Sequence, residues 1–266
     1  MLVQRQNLRR PSFGRSKAGA ACAAWAASWL ALLPPQALAG DAAEGDAPSL
    51  KLTFGHYQLQ HAAAGTDINL RWRRDGRSLW LGFYRDADFG QQLRLGWDDQ
   101  WALPSLPGMP GLPLLLLPSL QLASRGFVGG SLAVQAGAPI YLQLGLGRTN
   151  LRPYANLNFD PNDALSAALG WQGEGGRQLA LSVIADDRLH TGQQHHHLTL
   201  RWPVPAGLRL SADLLHKQGQ GDGGSVNAWG WTLGLDSTTW FARVARDPKQ
   251  NFSAFDAWRV SVGWRF

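Results

Sequence analysis

The sequence contains a single cysteine, Cys22, among its 266 residues. That residue falls in an N-terminal segment predicted to be removed, so the disulfide framework that stabilises small secreted domains is excluded. Beyond residue 39 the chain also lacks a long apolar run. Its most apolar stretch, residues 112–120, is broken by Pro113 and Pro118. A membrane-spanning helix needs about 20 apolar residues and is therefore not expected in this part of the chain.

Residues 1–39 have the pattern of a cleavable export signal. Five basic residues between Arg5 and Lys17 precede an apolar run at residues 20–33, and a small-residue cleavage site ends at Ala39. The alternative is a membrane anchor, but the apolar run is shorter than the roughly 20 residues of a spanning helix. The predicted organisation is a signal peptide over residues 1–39, a short segment over 40–47 and one domain over 48–266.

The excess of positive charge is mostly a property of that signal. The whole chain has 25 Lys and Arg against 19 Asp and Glu, with a formal net charge of +6. Removing residues 1–39 takes away five basic residues and no acidic one, which leaves 20 against 19. Nucleic-acid binding loses the basic excess on which it would depend, so no nucleic-acid partner is predicted.

Apolar and polar residues alternate with a period of two along most of the remaining chain. This period predicts β-strands rather than helices. Alternation alone fits a soluble sandwich or lipocalin-type barrel with the apolar face inward, and it also fits a membrane barrel with that face outward. The clearest examples are residues 68–72, 93–97, 140–146, 179–183, 196–202, 208–214, 229–235 and 258–266.

The connections between these segments favour the membrane barrel. Short turns on one side of the membrane and long loops on the other are typical of outer-membrane barrels. Short turns are predicted at residues 74–77, 136–139, 173–176, 203–207 and 236–239. Longer polar loops are predicted at residues 148–163, 186–194, 217–225 and 246–256.

Tryptophan is concentrated near the short turns. Aromatic side chains favour the two membrane interfaces, so these residues are predicted to form a girdle at the periplasmic rim. The predicted girdle consists of Trp72, Trp171, Trp202 and Trp240. Tyr57, Trp229, Phe255 and Trp258 are predicted to supply the girdle at the opposite rim.

The last strand ends in Val262, Trp264 and Phe266 at alternate positions. This pattern resembles the C-terminal assembly signal of Gram-negative outer-membrane β-barrels, although Ser261 stands where that class usually has glycine. The resemblance covers the whole of residues 48–266 at the level of the class. It implies insertion by the barrel-assembly machinery into the outer membrane of a Gram-negative bacterium. It also implies contact with outer-membrane lipid and lipopolysaccharide.

The segments predict an all-β, up-and-down antiparallel barrel of about fourteen strands, with twelve as the alternative. Fourteen is an even number and places both ends of the barrel in the periplasm, as the class requires. The weak point is the connection over residues 98–113, which is unusually long for the periplasmic side.

Arginine outnumbers acidic residues on the face that alternation turns inward. One interpretation is a network of arginine–carboxylate pairs that stiffens the wall. The other is a cationic constriction that favours anions, because rings of basic side chains select anions in pores. The inward candidates are Arg71, Arg73, Arg94, Arg201, Arg209, Arg259, Arg265, Asp67, Asp213 and Asp236.

His195 and His197 share one face of a predicted strand. They could form a hydrogen-bonded rim cluster, a switch that responds to protonation, or the start of a metal site completed by His190 or Asp187. The rim cluster is the favoured interpretation, and no metal is predicted.

The loop over residues 153–163 is rich in oxygen-bearing side chains. These side chains are Asn156, Asn158, Asp160, Asn162 and Asp163. Calcium would need several such oxygens to converge, whereas Asx and Pro residues more often form turns. No cofactor is predicted.

The favoured function is a porin-like channel for small solutes with a mild preference for anions. A lipid-modifying enzyme of the outer membrane is one alternative, and a structural barrel without a pore is another. Four histidines near predicted outer strand ends are His56, His61, His190 and His216. None of them stands in a recognisable motif with a serine nucleophile, so catalytic residues remain unassigned and the enzyme is disfavoured.

Overall fold

A computed structural model of the protein describes residues 49–104, 107–108, 111–157 and 163–266. The predicted signal peptide and the short segment after it lie outside the described residues. No helix in the part of the chain that the structure describes is long and apolar enough to span a membrane. The strands are β1 (Ser49–Leu59), β2 (Gly65–Arg74), β3 (Arg77–Asp86), β4 (Gly90–Asp98), β5 (Trp101–Leu103), β6 (Leu114–Ala123), β7 (Phe127–Ala136), β8 (Ile140–Thr149), β9 (Ala164–Gly173), β10 (Arg177–Asp186), β11 (Gln194–Val204), β12 (Leu208–Gly221), β13 (Gly224–Asp236), β14 (Trp240–Asp247) and β15 (Ala257–Arg265).

Except between β4 and β5, each strand pairs antiparallel with its neighbours in chain order, and the sheet closes on itself. The closure joins β1 to β15, where Phe54 lies opposite Val262 and Lys51 opposite Arg265. On the far side β4 pairs with β6, so the three-residue strand β5 stands outside the main circuit. The barrel wall therefore consists of fourteen strands in up-and-down order. The predicted count of fourteen is confirmed, and the alternative of twelve is wrong.

Pro118 explains the interruption between β4 and β5. The ladder between β4 and β6 stops where Asp98 faces Ser119, and it resumes on β5 where Trp101 faces Leu116. Pro118 lies between those positions on β6 and has no amide hydrogen to donate. Its carbonyl still accepts a hydrogen bond from the Asp99 amide, at 3.1 Å. The long periplasmic connection thus begins as a broken continuation of the wall.

The largest departure from the predicted boundaries is at the β12–β13 hairpin. Residues 217–225 are predicted as a loop, but β12 runs to Gly221 and β13 starts at Gly224. Polar residues continue the ladder there, with Gln218 facing Asn227. Hydrophobic alternation identifies only the part of a strand that lies in lipid, because a strand end in water has no need of an apolar face.

The outward face of the barrel is apolar over most of its area. Leu144, Leu169 and Leu181 are each more than half exposed, which in water would promote aggregation. Asp67, Gln135 and other polar side chains are buried on the inward face. This inversion of the usual distribution requires lipid around the wall, and the architecture is that of an outer-membrane β-barrel.

Large aromatic side chains on the inward face lie over glycines of the neighbouring strand. Tyr141 lies opposite Gly170, and Trp80 lies opposite Gly96. A Cβ atom at either glycine would overlap the ring. Glycine is thus required at these positions because the ring packs flat against the wall, which leaves lumen space free.

The aromatic residues near the short turns face outward. Trp202 and Trp240 are about two-fifths exposed, and Trp240 lies opposite Trp264. Trp72 and Trp171 lie in outward rows opposite Leu79 and Leu179. Phe266 is 75% exposed beside the same rim.

The opposite girdle is only partly as predicted. Trp229, Phe255 and Trp258 are exposed, but Tyr57 is buried on the inward face with its ring against Tyr84. The prediction for Tyr57 is wrong because the residue follows the inward parity of β1.

The register predicts opposite tolerances for two adjacent residues of β7. Leu132→Arg would place a charge in lipid near mid-wall and should lower the free energy of unfolding by about 2–4 kcal/mol. Ser131→Arg, one residue away, turns its side chain into the lumen and should cost less. Urea titration of both variants refolded into lipid vesicles measures the difference. An equal or reversed cost would mean that the two faces are wrongly assigned.

Candidate functional site

The connection from β8 to β9 folds into the barrel instead of extending outward. Residues 150–157 of this connection are called the inserted loop here. Tyr154, Ala155 and Asn156 are each at most 6% exposed. The loop leaves the wall at β8 and reaches side chains of β4 and β15, so it crosses the lumen at the outer end.

Gln92 of β4 fixes the middle of the inserted loop. Its side-chain nitrogen donates to the carbonyl of Pro153 at 2.9 Å, and its oxygen accepts from the amide of Ala155 at 2.7 Å. The same nitrogen also donates to the carbonyl of Ser124, at 3.1 Å. One buried amide therefore satisfies backbone groups of the loop that would otherwise be buried without partners.

Two further contacts hold the end of the loop across the lumen. Arg259 of β15 donates to the carbonyl of Leu157 at 3.0 Å. Asn251, in the connection from β14 to β15, donates to the carbonyl of Asn156 at 3.4 Å. The two inward-folding connections thus meet inside the outer mouth.

Arg94 and Asp67 form a buried ion pair beneath the inserted loop. Arg94 also donates to the carbonyl of Ala155, at 3.4 Å. Above it the Tyr154 ring stacks on Phe127, with 4.4 Å between centroids. Burial raises the pKa of the Tyr154 phenol, although the nearby Arg94 charge opposes that rise. The phenol therefore stays neutral.

A second cluster occupies the outer mouth around His195. Its ring is fully buried and stacks on Phe252, with centroids 5.3 Å apart. Lys217, which faces His195 across the β11–β12 ladder, forms a buried ion pair with Asp247 and donates to the carbonyl of Lys249 at 3.1 Å. These contacts anchor the β14–β15 connection on the inside wall.

His197 continues the cluster one step further into the lumen. Its Nδ1 lies 3.0 Å from a carboxylate oxygen of Asp213, and Thr199 donates its hydroxyl to the same carboxylate at 3.2 Å. A hydroxyl nucleophile would have to bond to the imidazole rather than to the carboxylate. This arrangement does not activate Thr199.

The carboxylate considered as a third metal ligand does not join the histidine pair. Asp187 instead pairs with Arg148, at 2.7 Å, and stays at the rim. Across the described ranges, no group of three His, Cys, Asp or Glu side chains is placed to hold a metal ion.

The oxygen-rich loop is only partly described. Asn158, Asp160 and Asn162 lie outside the described residues. Asp163 is fully buried, pairs with Arg188 and accepts a hydrogen bond from the amide of Thr149 at 2.8 Å. Burial raises the pKa of its carboxyl group, and the Thr149 amide and Arg188 oppose the rise. This carboxylate therefore fixes the base of the loop by contacts within the protein.

Basic side chains line the inward face of the periplasmic half along β11, β12, β14, β15, β1 and β2. This set is called the cationic arc here. At its centre, Lys51 lies directly opposite both Arg71 and Arg265. The arc comprises Arg201, Arg209, Arg243, Arg265, Lys51, Arg71 and Arg73.

Phe241 and Asp236 organise the centre of the arc. Lys51, Arg243 and Arg265 all lie within 5.4 Å of the Phe241 ring centroid, as cation–π contacts require. Asp236 accepts from Arg265 at 2.8 Å and lies 3.6 Å from Arg243. Asp236 is thus one carboxylate shared between two guanidinium groups.

The wall opposite the arc is polar but neutral. Gln135, Gln143 and Gln178 are buried there, and Gln178 donates to the hydroxyl of Tyr141 at 3.2 Å. Of the other described carboxylates near the arc, Asp98 lies 3.8 Å from Arg71, Asp99 pairs with Arg77, and Asp213 lies 3.0 Å from His197. The periplasmic half therefore has one cationic wall and one uncharged wall.

The sequence predicts five members of the cationic arc as inward residues, but it does not predict Lys51, Arg243 or the inserted loop. Lys51 and Arg243 follow the same alternation as their neighbours and could have been assigned by parity. The inserted loop could not, because its partners Gln92 and Arg259 are far away in sequence.

No protein-family model matches the chain, and no curated protein sequence matches it. Among solved structures, outer membrane protein Omp33 of Acinetobacter baumannii is similar over 84% of this chain and 100% of its own, with 11% identity and a TM-score of 0.49. The KdgM porin is similar over 81% and 99%, with 9% identity and a TM-score of 0.44. OmpF of Salmonella typhi, solved with daunomycin, is similar over 83% and 97%, with 12% identity and a TM-score of 0.41. These values are too low to assign a function.

The hydrogen bonds of Gln92 predict a loop-release variant. Gln92→Ala leaves buried backbone groups of the inserted loop without partners, at about 1–3 kcal/mol for each unsatisfied group. Amide hydrogen exchange over residues 152–157 should become roughly 5- to 150-fold faster. Gln135→Ala, which removes a buried inward glutamine away from the loop, is the matched control. If both variants exchange alike, Gln92 does not hold the loop.

Proposed function

We propose that this protein is a porin-like channel of the outer membrane that passes small solutes and prefers anions. It would reach that membrane through the signal predicted at residues 1–39, and the barrel-assembly machinery would insert it. The observation that carries the proposal is the cationic arc facing an uncharged wall.

The arc supports anion preference through its unequal numbers of charges. Seven basic side chains lie along it, and the ion pairs described for its members are with two carboxylates, Asp98 and Asp236. Charges inside a narrow, low-dielectric passage are screened less than charges at a surface. An anion approaching the arc would therefore have a more favourable electrostatic energy than a cation of the same size.

The outer half supports a size limit rather than a charge filter. Its basic groups Arg94 and Lys217 form ion pairs with Asp67 and Asp247. The inserted loop and the β14–β15 connection narrow the lumen at the same level from opposite sides. Solutes would be restricted by volume here and by charge at the arc.

Planar-bilayer recording under a potassium chloride gradient tests both parts of the proposal. The protein should give discrete conductance steps, with a reversal potential that favours chloride. The double variant Arg209→Gln/Arg243→Gln should move the permeability ratio towards one, because it removes charge from the arc. Raising the salt concentration should have the same effect through screening.

Arg85→Gln is the matched control, since Arg85 follows the outward parity of β3. It should leave the selectivity unchanged. A barrel that never conducts would overturn the channel. A cation-selective pore would overturn the role given to the arc.

A further inference from the structure

The outward wall of β8–β13 contains a concavity of about 570 Å³. At its centre, small Ala167 lies directly opposite Val183. The next lateral row towards the periplasm is formed by leucines, and its members are Leu142, Leu169, Leu181, Leu198 and Leu214. The volume falls within the roughly 300–1,000 Å³ of small-molecule sites. The lipid side of the barrel thus has a groove.

The groove is polar at one end. The lateral row that contains Ala167 and Val183 continues to His196, His216 and Trp229. The His216 ring lies 5.8 Å from the His196 ring and 4.6 Å from the Trp229 ring, and its Nε2 is 3.0 Å from the side-chain oxygen of Asn227. Such side chains are costly in hydrocarbon but favoured at headgroup level. The groove therefore runs from hydrocarbon to the outer headgroup layer.

A positive charge lies two strands from His216, at the end of the lateral row that runs from Leu214 through Trp231. Arg246 is exposed on the outward face, with Trp231 directly opposite on one side and Trp258 on the other. Those two indole rings are 5.7 Å apart and perpendicular. The following residue, Asp247, points inward to Lys217, so it is turned away from the Arg246 guanidinium. Arginine presents a planar set of donors that matches a phosphate group.

We propose that this groove binds one phosphorylated, anionic lipid of the outer leaflet. An acyl chain would lie along Ala167 and Val183, and the lipid phosphate would bind Arg246. Charge complementarity decides the occupant, because an apolar groove alone would accept any chain, whereas Arg246 favours an anionic headgroup. The proposal is independent of whether the lumen conducts.

Native mass spectrometry of the refolded protein in detergent, with added lipid A, tests this site. One lipid A molecule should bind more tightly than any further ones. Val183→Phe fills the groove and Arg246→Gln removes the charge, and each should weaken that first binding step by about tenfold. Val128→Phe and Arg85→Gln make the same changes on the outward face of other strands and should leave the first binding step unchanged.

Every variant is first checked for heat-modifiable mobility on gels, which reports a folded barrel. Equal first-step binding by the test and control pairs would overturn the site. Equal competition by phosphatidylcholine would overturn the role of the anionic headgroup. A protein dimer that Val183→Phe abolishes would mean that the groove is instead an interface between two copies.

Discussion

Complete pairing of the backbone is the constraint on which the rest of this structure depends. In hydrocarbon an unpaired amide or carbonyl costs several kcal/mol, so a sheet that crosses lipid cannot leave an edge open. The two junctions that close the sheet are β1 with β15 and β4 with β6. Pro118, which cannot donate to the ladder, lies in the periplasmic half of β6, and the broken ladder beside it continues outside the main circuit as β5. Closure thus sets the strand number and the place where an irregularity is tolerated.

Closure also decides the chemistry of the interior. Because lipid takes the apolar side chains of every strand, the polar ones are confined to a lumen of limited width. Two arrangements allow these polar side chains to fit in the lumen. Arg94 with Asp67 and Lys217 with Asp247 neutralise charge in place. Tyr141 and Trp80 lie flat over the glycines opposite them, which no other residue would allow.

The same constraint explains which features were predictable from sequence. Lipid on one side and a polar lumen on the other impose strict alternation. The presence of the strands, their number and the direction of their side chains can therefore be predicted from residues such as Leu198 and Leu210. Alternation does not extend into water, and for that reason the sequence predicts a loop at residues 217–225 where the structure has the end of a hairpin. The residue type of Tyr57 predicts a place in the girdle, but its position in the alternation of β1 turns the side chain inward.

The inserted loop was beyond sequence reasoning for a different reason. Its position depends on Gln92, which bonds to Ala155 across 63 residues of chain, and on Arg259, which bonds to Leu157 across 102. Composition favoured a turn-rich loop and could equally suggest calcium. Only the long-range contacts decide that this segment folds inward. Loops of this kind are set by side chains of the wall, not by their own sequence.

The lumen consequently separates two functions at two depths. In the outer half, Gln92, Asn251 and Arg259 hold the loop backbone and Arg94 is paired with Asp67, so that level restricts the size of a solute. In the periplasmic half, Asp236 is shared between Arg243 and Arg265, and the buried side chains described on the wall opposite include the uncharged Gln135, Gln143 and Gln178. Changes in the loops would therefore alter the size limit with little effect on charge preference, because the cationic arc is built on the strands themselves.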